Sequence, residues 1–173
     1  MATATKGDPA LIIITAEFDL ADPSTMADAM AAAVPLQQAT RDDEPGCHAY
    51  VFAPDPCLPG RVQVYELWED EATLAAHFQH SNYLDMGRAL MEVGLKGAVS
   101  TKFRVTAVEP VYDETHRARA NFFTQGEQRP DEYIIIAGEI DLDDPAGRAA
   151  GLEQSIPLQL ATREQEPGCE AYV

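Results

Sequence analysis

The chain has 173 residues, of which 12 are Lys or Arg and 29 are Asp or Glu, and its formal net charge at pH 7 is −17. A chain this acidic repels phosphate backbones and anionic lipid, so nucleic acids and membrane surfaces are not expected partners. The hydrophobic fraction of 46% is sufficient for a packed core, which excludes a disordered chain.

The first residues show no targeting signal. A short apolar run at 11–15, LIIIT, is followed at once by Glu17 and Asp19. It is too short for the core of a signal peptide or for a membrane span. The three cysteines are few and odd in number, which indicates reduced thiols. We therefore expect a cytoplasmic protein.

The first predicted elements are a strand and a helix. Residues 10–18 form an apolar run rich in Ile, which is typical of a buried strand. The D-P-S sequence at 22–24 combines a capping side chain with a proline in the first turn, so it predicts a helix start. Apolar residues near helical spacing extend this helix over 24–43. The E-P-G sequence at 44–46 ends it, because Gly suits a left-handed turn.

The next elements predict a hairpin, a helical region and a last strand. Residues 47–52 and 61–68 alternate between polar and apolar and are joined by a Pro- and Gly-containing turn. Helical stretches follow at 72–78 and 83–94, and a strand at 99–110 closes the unit. The order β-α-β-β-α-β is that of the ferredoxin-like α+β fold, in which the third strand lies between the first and the second.

The sequence contains an internal duplication. Residues 11–51 and 133–173 align without a gap, and about half of the positions are identical. The identities cluster in III, DL, DP, PLQ, ATR, EPGC and AYV. We predict a complete domain at 9–110, a linker at 111–131 and an incomplete β-α-β repeat at 132–173.

The half repeat has no third strand to place between its first and second strands. Its sheet would therefore have a gap in the middle. We expect either that the sequence is part of a longer chain or that another molecule completes the second unit.

Two motifs resemble a known family. The sequence EPGCHAY at 44–50, followed by YELWEDEATLAAHFQHSNY at 65–83, is similar to the antibiotic biosynthesis monooxygenases of the quinol monooxygenase type. The resemblance implies a dimeric α/β barrel in which two sheets pack face to face, either as a homodimer or as a pseudo-dimer within one chain. It also implies oxidation of a quinol or a phenolic polyketide by O2, without a metal or another cofactor.

Other activities occur in the same family, so the fold does not settle the function. Some members degrade haem, but they carry an Asn where this chain has Ala16, which disfavours that activity. An isomerase of a small carbonyl compound and a non-catalytic ligand-binding barrel remain alternatives.

The resemblance implies three catalytic candidates. Glu66 and Trp68 occupy the family's E-x-W position, and strand alternation places them on one face. Trp68 would line the cavity for a small aromatic substrate and O2. His77, in the A-x-H position, would act as a base or bind a substrate oxygen. The alternatives are a core Trp and a structural His that bonds a backbone carbonyl.

Further residues are candidates for binding the substrate. Two recur in the second copy, and three follow the His77 helix as a lid: Glu17, Tyr50, Asn82, Tyr83 and Met86. The recurring pair could instead lie at an interface. Many quinol-oxidising relatives have a second His where this chain has Asn82, which argues against a two-histidine mechanism. His77 and His80 form H-x-x-H without a third ligand, so no metal site is predicted.

Overall fold

The computed structural model describes residues 11–122 and 132–172. Residues 9 and 10 of the predicted first domain, residues 123–131 of the predicted linker and Val173 lie outside the described residues. Within these residues the strands are β1 (Ile12–Leu20), β2 (Cys47–Pro54), β3 (Arg61–Trp68) and β4 (Leu95–Arg104). The α-helices in the same part of the chain are α1 (Met26–Asp43), α2 (Glu71–His77), α3 (Ser81–Glu92) and α4 (Arg148–Gln165).

The strands form one antiparallel sheet with the order β2-β3-β1-β4. The third strand therefore lies between the first and the second, and the ferredoxin-like α+β prediction is confirmed. β1 pairs along its length with β3 on one side and β4 on the other, with Ile12 opposite both Trp68 and Arg104. This central position requires an apolar strand, which explains the Ile-rich run.

The core lies between the sheet and the helices. β3 alternates between buried and half-buried positions, so Glu66 and Trp68 share the buried face with two valines, as predicted. Apolar side chains from every layer meet there: Ile12, Ile14, Phe18, Leu20, Ala29, Ala33, Tyr50, Val62, Val64, Trp68, Leu74, Met86 and Leu90. Burial of each large side chain among them contributes roughly 1.5–3 kcal/mol to stability.

Several predicted boundaries shift by a few residues, and two of the shifts have a structural explanation. The start of the first helix is a short 3-10 turn, Pro23–Thr25, which Asp22 caps by accepting a hydrogen bond from Ser24 N. β4 runs over 95–104 instead of 99–110. The C-terminal end of β4 follows its partner, because β1 begins at Ile12, which pairs with Arg104, and beyond that pair Val105 N donates to Leu11 O at 2.8 Å.

Within residues 132–172, the second copy forms its helix but no strand. α4 has the same 18-residue length as α1, and Asp144 caps the 3-10 turn before it as Asp22 does. Residues 132–143, which we predicted to contain a strand, show none in the structure. A strand needs hydrogen-bonding partners from another segment, whereas a helix forms its bonds locally. Within the described ranges, no helix is long and apolar enough to cross a bilayer.

Candidate active site

His77 is held at the end of α2. The helix begins with a reciprocal cap, in which Asp70 accepts from Thr73 N at 2.8 Å and Thr73 Oγ1 lies 3.2 Å from Asp70 N. Leu74 and His77, one turn apart on α2, are both buried, and His77 is only 1% exposed. The local capping motif therefore fixes the start of α2, and the helix then directs the imidazole toward the core.

Glu44, at the C-terminal end of α1, reaches the same point from the other side. Its Oε2 lies 2.7 Å from His77 Nδ1, and its Oε1 accepts a hydrogen bond from Asn82 Nδ2 at 3.1 Å. The Glu44 side chain is 5% exposed. His80 Nδ1 is also 3.2 Å from Oε1, but it accepts Asn82 N–H as the cap of α3. The firm contacts of Glu44 are therefore those with His77 and Asn82.

These contacts define the state of the imidazole. An ionised carboxylate only accepts hydrogen bonds, so the proton of a neutral His77 resides on Nδ1. Nε2 then carries a lone pair, and it is buried with no hydrogen-bond partner in the described residues. Burial lowers the pKa of His77, although the bond and the charge of Glu44 oppose this effect. His77 is therefore a neutral imidazole with an unused basic nitrogen.

A second buried pair lies beside the first. Trp68 Nε1 donates a hydrogen bond to Glu66 Oε2 at 2.9 Å, and Trp68 is fully buried. Burial raises the pKa of Glu66 to about 7, the Trp68 bond lowers it, and the nearby charge of Glu44 raises it further. Glu66 can consequently gain or lose a proton near neutral pH.

Aromatic rings surround the imidazole. The ring centroid of His77 lies 4.4 Å from that of Trp68, 5.2 Å from those of Tyr50 and Tyr83, and 5.8 Å from that of Phe78. Burial, reinforced by the charges of Glu66 and Glu44, raises the pKa of Tyr50, so its phenol stays protonated. We call Glu44, Tyr50, Glu66, Trp68 and His77 the His77 cluster.

The turn between α1 and β2 fixes Glu44 in place. Gly46 adopts φ +81°, a left-handed conformation that favours glycine. A Cβ on Gly46 would lie 2.5 Å from Thr73 Cγ2, so the turn packs directly on the cap of α2. Gly46 O also accepts from Glu69 N at 2.8 Å. The glycine therefore brings the Glu44 and His77 elements together.

Comparison with known proteins adds to this geometry. Residues 11–89 match the family described as Antibiotic biosynthesis monooxygenase, and the match spans every member of the His77 cluster. These residues form a domain of the antibiotic biosynthesis monooxygenase family. No curated protein matches the chain in sequence.

Solved structures share the fold of this monooxygenase-family domain. A protein from Caulobacter crescentus CB15, described as a candidate antibiotic biosynthesis monooxygenase, is 22% identical with a TM-score of 0.53, over 58% of this chain and 92% of its own. A protein from Deinococcus radiodurans, with the same description, is 20% identical with a TM-score of 0.53, over 59% of this chain and 99% of its own. Rv0793 from Mycobacterium tuberculosis is 18% identical with a TM-score of 0.51, over 58% of this chain and 100% of its own.

The structure brings most of the predicted site residues together. Glu66, Trp68, His77 and Tyr50 belong to the cluster, Asn82 holds Glu44, and Tyr83 packs edge-on against His77 with its side chain partly exposed. Met86 does not form a lid, because it faces inward from α3 and is 3% exposed.

Glu17 lies apart from the cluster. It is on the opposite face of β1 from Ile14 and Phe18, where Arg61 Nη1 binds its carboxylate at 3.1 Å. Because successive side chains of a strand alternate between faces, Glu17 cannot point toward His77. Its recurrence as Glu139 therefore does not indicate a place in this cluster.

Glu44 is the functional residue that sequence reasoning missed. We interpreted it only as part of a helix end, although EPGC is one of the segments that both copies share in full. Both copies keep a Glu directly before the same Pro-Gly-Cys turn, and this repeated carboxylate is the sequence feature that marks Glu44 as a candidate. Its partner His77 lies 33 residues away, and only the fold brings the two together.

A groove opens on the helix side of the sheet, between α2 and β4. Its volume is about 550 Å³, and it is lined by Ile12, Glu71, Leu74, Ala75, Phe78, Lys102, Phe103 and Arg104. His77 and Trp68 do not line it, but Phe78 follows His77 directly and Ile12 pairs with Trp68. In the described residues, no group of three or more His, Cys, Asp or Glu side chains could hold a metal ion.

Proposed function

We propose that the domain is a cofactor-independent monooxygenase that oxidises a quinol or another phenolic aromatic with O2. One observation carries the proposal: His77 Nε2 is buried without a partner in the described residues, while Nδ1 is held by Glu44 at 2.7 Å. Membership of residues 11–89 in the monooxygenase family supports it.

In this reaction, the substrate hydroxyl donates to Nε2 and then transfers its proton there. The imidazolium that forms is stabilised by the Glu44 carboxylate, as in other carboxylate–imidazole pairs. The phenolate is electron-rich and reduces O2. For a 1,4-quinol, the products are a hydroxyquinone and one water, so the substrate itself supplies all four electrons and no external reductant is required.

The surroundings of His77 suit this chemistry. Trp68 and Tyr50 are buried against the imidazole, and they exclude water from the proton transfer. Tyr83 is 41% exposed and Phe78 is 38% exposed, so these two rings lie between the imidazole and solvent. We propose that the substrate reaches Nε2 when they move apart. The functional unit would be a homodimer or an intramolecular pseudo-dimer.

Oxygen consumption with a panel of quinols tests the proposal. We expect wild type to consume O2, and His77→Ala to lose roughly a hundredfold or more in kcat/KM. His48→Ala, at an exposed position of β2, is the matched control and retains activity. Circular dichroism establishes that His77→Ala is folded. Equal oxygen consumption by folded His77→Ala and wild type contradicts the mechanism, and substrate turnover without O2 indicates an isomerase instead.

A further inference from the structure

We propose that the groove between α2 and β4 binds an aromatic carboxylate, with its ring on Leu74 and Phe78 and its carboxylate at Lys102. The inference rests on the proposed function, because it names the substrate class: a phenol that carries an anionic group at the end remote from its hydroxyl.

The groove has the size and lining of a small-molecule site. Its volume of about 550 Å³ lies within the range for such sites, roughly 300–1,000 Å³. The apolar part of its lining comes from Ile12 on β1 and from Leu74, Ala75 and Phe78 at the end of α2. These side chains offer a hydrophobic surface of the kind that an aromatic ring covers.

The charge in the groove selects an anion. The register Ile12–Arg104 and Ile14–Lys102 places both cations on the helix side of β4. The Arg104 guanidinium binds Glu71, which offsets the one carboxylate in the lining. Lys102 has no ion pair among residues 11–122 and 132–172. In a chain of net charge −17, an uncompensated ammonium beside an apolar surface is a local site for a carboxylate.

The groove also lies next to the proposed base. Leu74 and His77 are one turn apart on α2, and the centroids of the His77 and Phe78 rings are 5.8 Å apart. A ring that rests on Leu74, with its carboxylate at Lys102, directs its opposite end toward Phe78 and His77. The hydroxyl to be deprotonated would therefore enter from the groove.

Binding of 4-hydroxybenzoate, measured without O2 by titration of backbone amide NMR shifts, tests the inference. Its neutral methyl ester is the matched ligand. Since Lys102 is exposed, we expect the acid to bind roughly two- to fivefold more tightly than the ester. Lys102→Met should remove this preference. Lys96→Met changes a lysine of the same strand outside the groove, and it should retain the preference.

The outcomes separate this inference from the proposed function. A Lys102-dependent preference for the acid with shifts at Leu74 and Phe78, but no oxygen consumption, supports the groove and contradicts the monooxygenase. Oxygen consumption with neutral quinols, together with equal Kd values for acid and ester, supports the monooxygenase and overturns the groove proposal. Equal loss of preference in the Lys102 and Lys96 variants also overturns it, because the effect would then be one of net charge.

Discussion

The two copies of the duplicated sequence, residues 11–51 and 133–173, share about half of their positions but build different structures. The first copy contributes two strands and a helix to a sheet with a buried core. The second copy contributes one helix, α4, in which only Gln159 is buried. The sequence of a repeat therefore determines its local structure, while its tertiary structure depends on the segments that follow.

Several local contacts are the same in both copies. Asp22 and Asp144 each cap a 3-10 turn at 2.9 Å. Arg41 donates to Tyr50 O at 2.8 Å, and the corresponding Arg163 donates to Tyr172 O at 2.6 Å. All of these contacts lie within ten residues along the chain. They form in the second copy although residues 132–143 have no strand.

Contacts between distant residues differ. Glu44 holds His77, whereas the corresponding Glu166 contacts Thr162 Oγ1, four residues away, at 3.2 Å. Arg163 also binds Asp55, in the turn between β2 and β3, at 3.1 Å, so α4 attaches to the first unit. The carboxylate of the first EPGC turn is part of the candidate site because His77 packs against it.

The largest expected loss of stability is at one of two corresponding glycines. Gly46 and Gly168 both have positive φ, but a Cβ on Gly168 meets nothing within 4 Å. Gly168→Ala should lower the free energy of unfolding by about 1 kcal/mol, because of backbone strain alone. Gly46→Ala adds the clash with Thr73 and should cost about 3 kcal/mol in total. Urea unfolding of the full chain measures both, and equal losses would show that the Gly46–Thr73 contact is unimportant.

A second contrast concerns the response of stability to pH. Glu66 belongs to β3, which follows the first copy along the chain, and its pKa is raised from 4.5 to about 7. The folded state therefore binds more protons than the unfolded state in this window, and its stability falls as pH rises from 4.5 to 7. Glu66→Gln removes this loss. The free energy of unfolding of the variant should therefore rise relative to that of wild type by roughly 3 kcal/mol at most between pH 4.5 and 7.

Unfolding of both proteins at pH 4.5 and pH 7.5 provides the measurement. His77 works in the opposite direction, because its lowered pKa favours the folded state as pH rises, but this contribution is common to both proteins and cancels. Glu153→Gln, at an exposed position of α4, is the control, and its stability should change with pH as that of wild type does. A pH-independent difference between Glu66→Gln and wild type would contradict the raised pKa.

The third contrast is catalytic. Glu44→Gln removes the carboxylate that fixes the His77 tautomer, so kcat/KM for oxygen consumption should fall by roughly a hundredfold. The loss of that negative charge should also move the acidic limb of the pH profile to lower pH, because Glu44 raises the pKa of His77. Glu166→Gln should match wild type in both respects. A purely structural Glu44 would change the free energy of unfolding without moving the pH profile.

Much of the fold could be predicted because its signals are local. The Ile-rich run of β1, the alternation of β3 and the caps of the helices each specify an element within about ten residues. The end of β4 could not be predicted, since it depends on where β1 begins. The strand expected at the start of the β-α-β repeat is absent from residues 132–143 for a related reason. An apolar run specifies a strand only when another strand pairs with it.

The site was predicted in part. Glu66, Trp68 and His77 all follow from the family resemblance, and strand alternation adds that Glu66 and Trp68 share one face. The role of Glu44 depends on a partner 33 residues away, so its position in the chain does not reveal it. Glu17 is a candidate by its recurrence, but its position in β1 places it on the face opposite to the cluster. The spacing of Met86 from Leu90 on α3 is that of a core residue, which local sequence does not distinguish from a lid.

The smallest expected contrast compares the two caps. Asp22→Ala and Asp144→Ala each remove one hydrogen bond at a helix start, and each should destabilise the helix that follows. In the first copy, the loss should lower the free energy of unfolding of the domain. In the second copy, it should increase amide hydrogen exchange within α4 only. A domain-wide effect of Asp144→Ala would show that α4 is integral to the first unit's core.

The proposed mechanism depends most on the protonation state of the His77 imidazole. Nitrogen-15 NMR of the His77 imidazole in the intact chain at pH 7 reports both tautomer and charge. We predict a neutral ring with the proton on Nδ1, a bare Nε2, and a pKa below 6.5. A proton on Nε2, or an imidazolium at pH 7, would leave no base for the substrate and would contradict the proposed mechanism.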